Sequence, residues 1–143
     1  MSNQLQGKIG PHQGQEAELL LTGRKPVALF SAPFINHQFE QIKRLDHAVD
    51  QGLLCKAFVT SAIAERTFYC LPESQAQMEE LIAIYQRIDN QTPPNPTEMS
   101  ISLADHHRIG TLLGYAPEDI AAFLKQQYQR EQGRCIQAPC PQP

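Results

Sequence analysis

The sequence predicts an α+β domain: a small three-stranded sheet, mixed or antiparallel, covered by helices and followed by a C-terminal helical hairpin. Three observations carry this expectation. Residues 27–30, 53–60 and 66–71 are short runs rich in β-formers. Between and after them, apolar residues recur with helical period. The chain has 143 residues, 41% of them apolar, which supplies one core and leaves no room for two comfortable ones.

Residues 1–12 read as a flexible arm. Residues 13–22 form a short helix with Ala17, Leu20 and Leu21 as its apolar stripe, stopped by Gly23. Arg24-Lys25-Pro26 is a polar turn, and Val27 to Phe30, bounded by Pro26 and Pro33, is a buried strand. Residues 35–51 are helical, with Asn36 as N-cap and Phe39, Ile42, Leu45 and Val49 on one side. In the second strand Leu53, Cys55, Ala57 and Val59 share one face, and Leu54, Lys56, Phe58 and Thr60 the other. A loop at 61–65 leads into the third strand, so the pair makes a hairpin.

Pro72-Glu73 opens the most periodic helix, with Met78, Leu81, Ile82, Tyr85 and Ile88 inward. Three prolines at 93, 94 and 96 make residues 91–97 a stiff connector. The last two helices span 101–113 and 117–131, inside a hairpin unit of 98–131. The domain runs from 13 to 131, its helix and sheet part from 13 to 90. The tail, 132–143, has no periodicity.

The corner between the last helices carries the strongest functional hint. Gly114 sits where a helix end needs a left-handed residue, and Pro117 where the next helix tolerates a missing N–H. With Gly110 at a close crossing, Tyr115 after the turn glycine, and Ile120 and Phe123 inward, residues 106–124 resemble the helix-turn-helix pattern. That resemblance implies a DNA-binding regulator. The reading positions oppose it, because they hold Pro117, Glu118, Asp119, Ala121 and Ala122 where base recognition needs Arg, Lys, Asn or Gln. Charge points the same way. Residues 73–119 carry eight acids against Arg87 and Arg108, which repels phosphate and suits a basic protein partner.

Ser102 and Asp105 have capping-box spacing, and His106 falls on the side of Ile109 and Leu113, making it a candidate buried imidazole. Asp105-His106-His107 resembles the signature of DHH phosphoesterases. Those enzymes need further aspartates in an Asp-x-Asp cluster, and this sequence has none. His37 and His47 lack the spacing that places two imidazoles on one metal. Cys55 and Cys70 read as small buried side chains whose register decides whether they meet. Cys135 and Cys140 lack the further ligands that zinc requires. No metal and no cofactor are therefore expected.

The segment 16–30 and the corner resemble parts of small bacterial proteins, without implying a mechanism. The expectation is a bacterial cytoplasmic protein-interaction module, such as an adaptor, accessory subunit or inhibitor. Its partner-binding candidates are Leu54, Phe58, Tyr115, Glu118 and Asp119. A homo-oligomer is compatible with the sequence, whereas nucleic acid and membrane are disfavoured. No apolar run reaches the roughly 18 residues a span needs, and the first residues lack the apolar core of a secretory signal. The alternative is a small enzyme or ligand-binding domain with a pocket around His106, Asp105 and Tyr115. Catalysis is not favoured, and Cys70 is the remaining weak candidate for it.

Overall fold

The computed structural model describes residues 14–34, 36–91 and 101–137. The arm (1–12) and the connector beyond residue 91 lie outside the described residues. Chain order is α1 (Glu16–Leu21), β1 (Val27–Ser31), α2 (Asn36–Asp50), β2 (Cys55–Thr60), β3 (Glu65–Cys70), a 3-10 turn (Pro72–Ser74), α3 (Gln75–Gln91), α4 (Leu103–Leu112) and α5 (Pro117–Gln137). The strands form one antiparallel sheet in the order β1-β3-β2.

The sheet has helices on both faces. Ala28, Phe30 and Tyr69 point to one side, where Ala17 and Leu20 of α1 and Leu45 and Ala48 of α2 cover them. Val27, Phe68 and Cys70 point to the other, where Met78, Leu81, Ile84 and Ile88 of α3 and Ile109 and Leu112 of α4 complete the core. β3 is central, so Arg66 to Cys70 are all buried, polar residues included. β2 lies at an edge and alternates between half-buried and exposed residues. Its inward row is Cys55, Ala57 and Val59, as the period of two requires.

Several local expectations are corrected. In α2 the fully buried stripe is Gln41, Leu45 and Ala48, with Ile42 and Val49 packed against the same core, so Phe39 alone of the expected side points away. Phe39 is 56% exposed and meets Phe34 edge-on, at 5.8 Å between ring centroids. The helix turns its stripe toward β1 and β3. Asn36 is the first helical residue rather than the residue before the helix. Leu54 is buried, not exposed, because a tight turn at Gly52 folds the start of β2 under the C-terminal end of α2. α5 continues to Gln137, past the expected end at 131 and through Gly133.

Lys25 is the largest departure. A polar turn was expected, but Lys25 is 2% exposed. Its ammonium donates to the Leu113 carbonyl at 2.7 Å and lies 5.0 Å from the centre of the Tyr115 ring. The α4–α5 corner thus rests on the start of β1. Gly114 makes this approach feasible: a Cβ there would stand 2.5 Å from Pro26 Cδ.

A buried ion pair ties the sheet to α3. Arg66 donates to both carboxylate oxygens of Asp89 at 2.6 and 3.1 Å, and its guanidinium lies 4.3 Å from the centre of the Tyr85 ring. Asp89 departs from the apolar pattern of α3 because β3 presents a cation to it.

Candidate functional site

The corner is built by local hydrogen bonds. Ser102 caps α4, its hydroxyl accepting from the Asp105 N–H at 3.1 Å. At the other end the Gly114 N–H donates to the Thr111 carbonyl and the Tyr115 N–H to the Gly110 carbonyl, both at 3.0 Å. This is the Schellman arrangement, with Gly114 at φ +85°. Pro117 then opens α5, whose first turn carries Glu118 and Asp119. Gly110 permits the close crossing of α4 and α5, since a Cβ there would lie 2.9 Å from Ile120 Cγ1 and 3.7 Å from the Tyr115 ring.

Behind this corner is a pocket of about 240 Å³. Tyr85 of α3 forms one wall. His106, Ile109 and Gly110 of α4, Leu113 and Tyr115 of the corner, and Asp119, Ile120 and Phe123 of α5 form the rest, with Ile101 at the entry to α4. The His106 ring meets Phe123 edge-on, 4.9 Å between centroids. The lining is therefore aromatic and aliphatic, with an imidazole, two phenols and one carboxylate among it.

The phenols stay protonated. Burial pushes Tyr115 up to about 12, with the charge of Glu16 adding to it. Burial also raises Tyr85, against the opposing pull of Arg66. Both rings can therefore donate a hydrogen bond throughout the neutral range. Lys25, behind Tyr115, is lowered to about 7, because burial outweighs the attraction of Glu16.

The structure brings three of the sequence-derived candidates, His106, Tyr115 and Asp119, into this one pocket. Asp105 is not among the lining residues. Its carboxylate pairs with Arg87 at 2.7 and 3.1 Å and is held below the ordinary carboxylate range by that guanidinium. Ser102 contributes to the same lowering through a hydrogen bond. Arg108 is likewise engaged, by Glu80 on α3. Glu118 is exposed. Cys70 lies in the sheet, its thiol pushed up to about 12 chiefly by burial. Phe58 is 60% exposed on β2. Tyr85, Phe123 and Lys25 were not singled out by sequence reasoning. The periodicity of α3 and α5 marks the first two as inward-facing, but nothing in a three-residue turn marks Lys25.

Among the described residues no cluster of His, Cys, Asp or Glu could hold a metal ion, and no helix is long and apolar enough to cross a membrane. Comparison of the chain with protein families, curated proteins and solved structures returns no match.

Proposed function

We propose that this chain is a binding domain for a small, largely aromatic ligand that carries a basic nitrogen. One observation supports the reading: three helices and the corner between two of them converge on a pocket lined by rings, branched aliphatic side chains and one carboxylate, Asp119. The volume suits the proposal. A dry cavity of about 150 Å³ holds a benzene ring, and drug-sized sites begin near 300 Å³. At about 240 Å³ the pocket has room for one ring and a short substituent. An amine would gain from the carboxylate, and a ligand ring from the apolar lining. His106 and Tyr115 act here as hydrogen-bonding groups that orient the ligand, and the proposal needs no catalysis.

Calorimetric titration of the full chain with phenylethylamine, and with toluene as the uncharged control, tests it. Saturable binding of the amine is expected, weakened about tenfold by Asp119→Asn, equivalent to about 1.4 kcal/mol. Toluene binding should be indifferent to that substitution. Failure of both probes to bind would end the proposal.

A protein-interaction role is the second reading. Its support is Phe58 and Leu53, 60% and 57% exposed at the open edge of the sheet. Unpaired edges of this kind invite another chain. The simplest partner is a second copy, which predicts a concentration-dependent dimer lost on Phe58→Ser. Sedimentation of a single monomeric species at all concentrations would remove this reading. The bacterial, cytoplasmic setting belongs to the same proposal and rests on the sequence alone.

A further inference from the structure

We propose that Cys55 and Cys70 form a reversible dithiol–disulfide pair across β2 and β3, closed by exchange with a low-molecular-weight disulfide.

The register places the two residues directly opposite each other, on the same face of the sheet. The hairpin fixes their spacing. At its tip the Ser61 N–H donates to the Ala64 carbonyl at 2.8 Å. Bonded and non-bonded pairs alternate along an antiparallel ladder, so Val59–Arg66, Ala57–Phe68 and Cys55–Cys70 follow as bonded pairs. Such pairs stand about 5.5 Å apart at Cα, inside the roughly 4.4–6.8 Å that a disulfide spans. Both thiols are free cysteines in the structure. Closure therefore needs no rearrangement of the backbone, and a one-residue slip of the strand would have set the two thiols on opposite faces.

The surroundings give each thiol its part. Cys55 is half-buried and Cys70 is fully buried. The first residue of α3, Gln75, donates its side-chain amide to the Cys55 sulfur at 2.9 Å. The attacking form of a thiol is the thiolate, which can accept that hydrogen bond. Cys70 holds its proton more tightly than an ordinary thiol, because of burial first and the adjoining Cys55 second. Cys55 is therefore the sulfur that meets the incoming disulfide. Its lone pair forms a bond to one sulfur of the reagent, the reagent's S–S bond breaks, and one thiol departs with the Cys55 proton. Cys70 then attacks the Cys55 sulfur of the mixed disulfide, and the second reagent thiol departs with the Cys70 proton. The protein dithiol loses two electrons and two protons, and the reagent disulfide gains both.

The test uses the full chain with Cys135→Ser and Cys140→Ser, so that the sheet cysteines are the ones read. The folded protein is treated with oxidised glutathione, quenched by alkylation and mapped by mass spectrometry. The expected product has lost two hydrogens, contains a peptide linking Cys55 to Cys70, and reverts with dithiothreitol. Cys70→Ala should stop at a stable glutathione adduct on Cys55, and Cys55→Ala should leave Cys70 unmodified while folded. A lasting glutathione adduct on Cys55 in the chain that retains Cys70 would overturn the proposal. So would a cross-link that forms only after urea unfolding.

Discussion

Replacing Gly114 by Ala tests how the pocket corner is held, because the structure provides an internal control. Gly52 ends α2 with the same pair of hydrogen bonds, from Gly52 to Val49 and from Leu53 to Ala48. Its φ is +81° against +85° at Gly114. The cost of forcing a Cβ into the left-handed region is therefore common to both sites, about 1–2 kcal/mol. The surrounding space differs. A Cβ on Gly52 meets nothing within 4 Å, whereas one on Gly114 would lie 2.5 Å from Pro26 Cδ and 3.6 Å from Lys25 Cα. Carbon atoms rest about 3.5–4.0 Å apart, so roughly an ångström must be found. It must come from a proline ring and from backbone already fixed by the Lys25 bond to Leu113. Overpacking of this kind costs about 1–3 kcal/mol. Gly52→Ala should then lose about 1–2 kcal/mol and Gly114→Ala about 2–5 kcal/mol, out of a typical total near 5–15 kcal/mol. Urea unfolding of the two variants measures the difference directly, given unchanged slopes. Equal losses would refute the argument that the corner is seated against the start of β1.

Other expectations follow from the same geometry. Arg66→Met leaves the Asp89 carboxylate buried without its guanidinium and should cost about 3–5 kcal/mol in chemical denaturation, whereas Arg66→Met with Asp89→Leu should recover most of it. Lys25 contributes a pH dependence. Its folded value, about 7, lies below its unfolded value of 10.5, so the unfolded chain binds more protons between them and stability rises with pH. Between pH 7 and 8, below the ordinary 9.0 of the Cys70 thiol, the wild-type curve should gain on that of Lys25→Met by up to about 1.4 kcal/mol. Parallel urea midpoints for the two proteins would count against the buried ammonium. Gly110→Ala should change stability little, since helix propensity gains about 1 kcal/mol while Ile120 must give way, yet ligand affinity should fall because Ile120 and Tyr115 line the pocket. Gel shift with duplex DNA at low salt should show no tight, salt-sensitive complex, because α5 opens with Pro117, Glu118 and Asp119.

Much of the fold is legible in the sequence. The three strands, the hairpin and the α4–α5 corner follow from alternation, from helical spacing and from the Gly114 and Pro117 punctuation, all of which are local signals. Two kinds of feature are not local. The first is orientation about an axis: α2 keeps its helical pattern, but only the position of the sheet decides that Gln41 faces inward and Phe39 outward. The second is pairing at a distance. Lys25 meets Leu113, and Arg66 meets Asp89, across separations in the chain that no motif spans. The pocket is an intermediate case. His106 and Tyr115 were legible as inward residues near one corner, whereas Tyr85 arrives from α3 through the packing of that helix against the sheet and α4. Asp105 shows the converse, a residue next to His106 in sequence that turns to Arg87 on the far side.

The most direct measurement is a methyl-labelled NMR titration of the full chain with phenylethylamine. The account predicts saturable shifts at Ile109, Leu113 and Ile120, with Leu20 and Leu45 on the opposite face of the sheet unmoved. Shifts confined to other methyl groups, or none at any concentration of the amine, would contradict it.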